Sequence, residues 1–143
     1  MLDNGIQRKT EPVLNGNETI LVVDDCEEVR NFLNAALAKF GYRVICADDG
    51  MDGLKKYTEN KGKIHVMLID VFMPKLNGMD LFKEINKLEP NIKVLFMSGY
   101  NELFDRNNQQ AEMRCIKYIS KPFRINTLLK ELRDVLDNSG YVS

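Results

Sequence analysis

Five short, mostly apolar runs punctuate the chain, and each ends in a polar or turn-forming group. They are Ile20–Val23 before Asp24-Asp25, Tyr42–Ala47 before Asp48-Asp49-Gly50, and Val66–Ile69 before Asp70. The last two are Ile92–Met97 before Ser98-Gly99 and Cys115–Ile119 before Ser120-Lys121-Pro122. Short unbroken apolar runs closed by turn signals read as strands buried on both faces, as in a parallel sheet. Between them the apolar period lengthens to that of a helix. Val29, Phe32, Leu33, Ala36, Leu37 and Phe40 mark the first helix, which Gly41 stops. A second helix is predicted over 51–59 and a third over 77–88, where Glu89-Pro90-Asn91 breaks it. A last helix is predicted over 124–137. Residues 101–113 have little apolar face and predict only a short or mobile helix. Alternation of five strands with five helices implies an α/β, flavodoxin-like, doubly wound parallel sheet with helices on both faces.

The ends of the chain break this rhythm. Residues 1–17 are polar and aperiodic and read as a flexible leader or linker. The folded domain is expected over 18–138, with 139–143 a frayed tail. With 143 residues the chain fits one domain and can bury a core without disulfides or metal. A net charge of −1 gives no electrostatic case for direct nucleic-acid binding or for an anionic membrane. Neither a signal peptide nor a run of membrane-spanning length is apparent, so a cytoplasmic location is expected. Cys26, Cys46 and Cys115 are scattered and odd in number, which suits a reducing compartment better than a disulfide framework.

The chemistry collects where strands end. Taken alone, Asp70 reads equally well as a turn residue. A strand order 2-1-3-4-5, however, makes the first and third strands neighbours and brings Asp24, Asp25 and Asp70 to one end of the sheet. Three carboxylates in one pocket repel one another, and a hard divalent cation with oxygen ligands, Mg²⁺ above all where phosphate is bound, relieves this. Lys121 adds a positive point charge and Ser98 a hydroxyl donor. A nucleophilic carboxylate flanked by Mg²⁺ and Lys is what phosphoryl transfer to Asp requires.

These motifs together resemble the receiver domain of two-component response regulators. The likeness covers about residues 18–138. It rests on Val22-Val23-Asp24-Asp25, Asp70 with Met73-Pro74 and Asn77-Gly78, Met97-Ser98-Gly99-Tyr100, and Lys121-Pro122-Phe123. The resemblance implies that Asp70 accepts a phosphoryl group and that Lys121 pairs first with it and then with the phosphoryl group. It implies that Ser98 closes over the phosphoryl oxygens while Tyr118 turns inward as an aromatic switch. Mg²⁺ would be bound directly by Asp25, Asp70 and the Phe72 backbone carbonyl, and through water by Asp24. A cis Lys121–Pro122 peptide is expected. The implied donor is a phosphohistidine on a sensor histidine kinase or a histidine phosphotransfer protein. Glu18–Asp25, Leu95–Tyr100 and Ile119–Phe123 most resemble receivers fused behind hybrid histidine kinases, with residues 1–17 as the connecting linker. The output expected is a moving protein-binding face or return phosphotransfer, to a partner the sequence does not name.

Two other classes compete. A receiver-like scaffold that is never phosphorylated usually lacks a member of the acid, hydroxyl and lysine set, and this chain has them all. A Mg²⁺-dependent phosphatase with an Asp nucleophile needs Asp-x-Asp, whereas Val71-Phe72 follows Asp70. Ser98 stands where the family more often has Thr, keeping the hydroxyl. Cys26 stands beside the acids, where the plain reading is a tolerated small residue and the alternative is a thiol activated at a helix N-terminus. Phe72 and Tyr100 flank the site and are expected to slow attack by water on an acyl phosphate. His65, the one histidine, opens a buried strand and reads as structural or solvent-facing. The methionines read mostly as core filler, and Lys55, Lys56, Lys61 and Lys63 as a solvated face.

Overall fold

The computed structural model describes residues 14–99 and 117–138. Five strands, β1 (Thr19–Val23), β2 (Arg43–Ala47), β3 (Val66–Asp70), β4 (Lys93–Ser98) and β5 (Lys117–Ser120), form one parallel sheet in the order β2-β1-β3-β4-β5. The described helices are α1 (Glu27–Lys39), α2 (Gly50–Glu59), α3 (Gly78–Leu88) and α4 (Ile125–Asp137). The helix expected over 101–113, the first residues of the fifth strand, and Tyr100 lie outside the described residues.

Alternation along the buried strands divides the core in two. Leu21, Val23, Met67, Ile69 and Phe96 face α2 and α3 and pack on Tyr57, Leu81 and Ile85. Ile20, Val22, Leu68, Leu95 and Met97 face α1 and α4 and pack on Leu33, Leu37, Leu128 and Leu132. Side chains in strands point alternately to opposite faces, so each run serves both layers at once. Phe32 departs from the expected helix pattern. It is 50% exposed, because the buried stripe of α1 runs along Val29, Leu33, Leu37 and Phe40 and leaves position 32 at its flank. Met67, Met73, Met79 and Met97 are buried, but Met51 is exposed on the outside of α2.

Helix starts follow local side-chain chemistry. The Asp49 carboxylate accepts from the Asp52 N–H at 2.7 Å at the start of α2, and Asn77 Oδ1 accepts from the Asp80 N–H at 2.9 Å at the start of α3. Helix α1 ends at Phe40, with Gly41 beyond it at φ 97°, a left-handed conformation that glycine adopts freely.

The leader expected over 1–17 is anchored in its described part. The Gly16 N–H donates to the Phe40 carbonyl at 3.0 Å, and Leu14 packs on the α1/α4 layer. Arg133 of α4 holds Glu18 with two hydrogen bonds, 2.9 and 3.0 Å, and reaches Tyr42 Oη at 3.1 Å and the Asn15 carbonyl at 3.4 Å. Polar composition hid this, because apart from Leu14 the segment is held by hydrogen bonds and not by apolar burial.

Candidate functional site

Strand register builds the site. Val23 of β1 pairs with Ile69 of β3, so the next residues, Asp24 and Asp70, emerge side by side. One carboxylate oxygen from each of them and one from Asp25 all lie within 4.8 Å of one another. Asp24 and Asp70 are buried, whereas Asp25 faces solvent. Asp24 is held from two directions. Its Oδ1 accepts from the Cys26 N–H at 2.9 Å, and its carbonyl accepts from Arg30 Nη1 at 2.8 Å. The exposed Cys26 is the N-cap of α1 and contributes its backbone rather than its thiol.

Lys121 enters from the opposite side of the sheet's end. The Lys121 N–H donates to the Ser98 carbonyl at 2.8 Å, which continues the β4–β5 ladder past the apolar run. Ser98 therefore lies inside β4, paired with Ser120, and not just beyond the strand as the sequence pattern has it. Lys121–Pro122 is a cis peptide, as expected. The Lys121 ammonium donates to Asp24 Oδ2 at 2.9 Å and sits 3.4 Å from Asp70 Oδ2. Burial pulls the Lys121 pKa down, but the hydrogen bond to Asp24 and the charges of Asp24 and Asp70 outweigh it and hold the group above its ordinary value.

Ser98 Oγ is fully buried and has no hydrogen-bond partner among the described residues. A buried hydroxyl without a partner is costly, and a ligand oxygen arriving at the acid cluster would satisfy it. Tyr118, two residues before Ser120, is partly buried and stacks on Phe96 with ring centroids 5.5 Å apart. Phe72 is half exposed at the rim.

Two contributors escape sequence reasoning. Gly78 donates its N–H to the Val71 carbonyl at 2.9 Å, and a Cβ there would strike the Asp70 carbonyl oxygen. Arg30 braces the Asp24 backbone from one turn into α1. The Asn77-Gly78 pair signals a turn but not this close approach. A donor to a backbone carbonyl leaves no mark in side-chain chemistry.

The donor set suits a hard divalent cation. Three carboxylates with oxygen-only ligation match Mg²⁺ and do not match a soft metal.

The response regulator receiver domain model matches residues 20–133. The chain belongs to that family. Among relatives of this receiver, the sensor kinase CckA of Brucella abortus (strain 2308) is 33% identical over 124 residues, covering 87% of this chain but 13% of that protein. The response regulator receiver protein CpdR of the same organism is 30% identical over 117 residues, covering 82% of this chain and 95% of that one. The receiver thus spans a small part of one relative and nearly all of the other. Among solved structures, response regulator TrrA from Thermotoga maritima, in complex with Mg²⁺-BeF, superposes with a TM-score of 0.71 at 27% identity. That match covers 83% of this chain and 98% of TrrA. The receiver is a two-component signalling domain, of the class that takes phosphoryl groups from histidine kinases.

Proposed function

We propose that Asp70 is the phosphoacceptor of this receiver. The observation that carries this reading is the position of its carboxylate, 3.4 Å from the Lys121 ammonium and within 4.8 Å of Asp24 and Asp25. The donor is a phosphohistidine on a sensor histidine kinase or a histidine phosphotransfer protein. An Asp70 carboxylate oxygen attacks phosphorus and the P–N bond breaks as an O–P bond forms; the donor ring, protonated on its other nitrogen, takes the electron pair of the broken bond and leaves as neutral imidazole. The product is an acyl phosphate. Developing charge on the phosphoryl oxygens is neutralised rather than covalently managed, so placement of positive charge and donors is most of the catalysis. Lys121 is already beside the acceptor, and Ser98 Oγ has no competing partner among the described residues.

Asp24, Asp25, Asp70 and the Phe72 carbonyl are the groups that would hold Mg²⁺. When bound, the ion offsets carboxylate repulsion and the charge of the transferring group. Ser98 and Tyr118 form the switch: as the Ser98 hydroxyl engages the phosphoryl oxygens, the Tyr118 ring repositions against Phe96. The receiver proper is taken as 18–138, with 14–17 strapped onto it. Its origin in a hybrid histidine kinase and a cytoplasmic location complete the reading. The likeness to CckA supports the first, and the scattered, odd-numbered cysteines the second.

The test is intact-mass measurement after incubation with acetyl phosphate, with and without Mg²⁺, on wild type and Asp70→Asn. One added phosphoryl group that needs both Mg²⁺ and Asp70 is the expected result. No adduct under conditions that preserve acyl phosphates, with Mg²⁺ binding verified, overturns it.

A further inference from the structure

The far edge of the sheet, where the strands begin, has the opposite electrostatic character to the acid pocket. A cavity of about 560 Å³ opens there between β1, β2 and the loop that leads into β3. Arg43, Lys63 and His65 line it together with Asn17, Thr19 and Asn60, and no carboxylate does. Several described cations elsewhere on the surface are matched to acids. Lys55 pairs with Glu59, Lys56 with Asp52, Lys75 with Asp49 and Lys117 with Glu131. Arg43 and Lys63 have no such match among the described residues. Glu18, the nearest acid in sequence to this edge, is turned away and committed to Arg133 at 2.9 Å. The C-terminal carbonyls of α2, which would oppose an anion, are capped by Asn60 Nδ2 at 2.8 Å on Lys56 and by the Lys61 N–H at 3.4 Å on Thr58.

His65 adds a fixed donor. Its Nδ1 accepts from the Thr19 N–H at 3.0 Å, which places the proton of the neutral ring on Nε2. The residues that line the cavity thus carry a guanidinium, an ammonium, an imidazole N–H and the Thr19 hydroxyl, a donor set suited to a tetrahedral oxyanion. Its volume exceeds what a bare phosphate needs and falls in the range of small-molecule sites. Ile45 supplies an apolar wall.

We propose that the cavity formed by Arg43, Lys63 and His65 is a binding site for a small organic phosphate, on the opposite edge of the sheet from the acid pocket. It does not depend on the assignment of Asp70.

The probes are pyrophosphate, ATP and sulfate, titrated at constant ionic strength in EDTA into the full chain and followed by backbone amide resonances. The expected result is saturable shifts centred on Asn17, Arg43, Lys63 and His65. ATP should bind more tightly than pyrophosphate, and sulfate should not compete at equal concentration. Arg43→Gln with Lys63→Gln should weaken ATP roughly tenfold or more, while Mg²⁺-dependent phosphorylation stays at the wild-type level and reports an intact fold. Asp70→Asn should leave ATP binding unchanged. The proposal is overturned by the absence of saturation, by equal response to sulfate, by pyrophosphate as tight as ATP, or by insensitivity to the double substitution. Loss of binding in Asp70→Asn, or preference for a glutamate-rich peptide over ATP, overturns it as well.

Discussion

Lys121 donates to Asp24 at 2.9 Å across 97 positions of sequence. The pair is unequal, because Asp24 is fully buried and Lys121 is about a quarter exposed. Removing the cation strands a buried carboxylate, which is costlier than the pair itself is stabilising. Lys121→Met should lower unfolding free energy in EDTA by about 2–4 kcal/mol, and Mg²⁺ should recover part of that. Phosphorylation at fixed time should fall by roughly an order of magnitude or more. Urea melts with and without Mg²⁺, alongside intact mass, measure both.

The acid cluster stores repulsion. Asp25→Asn removes one exposed charge from three and should raise the melting temperature in EDTA by a few degrees, on the order of 1 kcal/mol. It should also abolish most of the stabilisation that millimolar Mg²⁺ gives wild type. A variant as responsive to Mg²⁺ as wild type would remove Asp25 from the ligand set. Differential scanning calorimetry at matched ionic strength decides it.

Gly78 has no room for a side chain, because a Cβ would meet the Asp70 carbonyl and, at 3.0 Å, Ile69 Cγ2. Gly78→Ala should cost about 1–3 kcal/mol of stability. It should slow phosphorylation out of proportion, since the displaced atom belongs to the acceptor's own backbone. Normal phosphorylation kinetics in a destabilised Gly78→Ala protein would show that the loop absorbs the clash away from Asp70.

Tyr57, on the buried face of α2, packs in the same core layer as Leu81 and Ile85 of α3, and its hydroxyl donates to Glu89. Burial, together with that bond, pushes its pKa up to about 12. The folded state therefore favours the protonated phenol. That stability is complete below the unfolded pKa of 10.0 and is lost as pH climbs through about 12. Ultraviolet titration should show one tyrosine ionising only at that upper limit or with unfolding. Tyr57→Phe should abolish that step and flatten the alkaline decline.

Arg133 acts at the acidic end of the scale. It holds Glu18 and Asp137 below their ordinary values of 4.5 and 3.8, chiefly through side-chain hydrogen bonds. Depressed carboxylates contribute stability that is present above those values and lost as pH falls through the lower folded ones. Arg133→Met should flatten the acid limb below about pH 4.5 and speed amide exchange at Gly16.

Much of this was legible because burial on both faces leaves unmistakable runs. Val66–Ile69 and Ile20–Val23 announce central strands, and the acids after them announce the pocket. Lys121 and Ser98 are found by the same logic, although β4 runs one residue further than its apolar pattern, since the Ser98 backbone still pairs with Ser120. What the pattern could not show rests on hydrogen bonds between distant polar groups. Glu18 and Arg133 lie 115 positions apart with ordinary surface chemistry, and His65 is set by one backbone amide of β1.

The grip of Arg133 on Glu18 and Asn15, with the Gly16–Phe40 bond beside it, also has a mechanical meaning. Tension on the chain ahead of residue 14 reaches α1 and α4 before it can peel β1 from the sheet. The strand that delivers Asp24 is thereby shielded from whatever pulls on the polypeptide upstream.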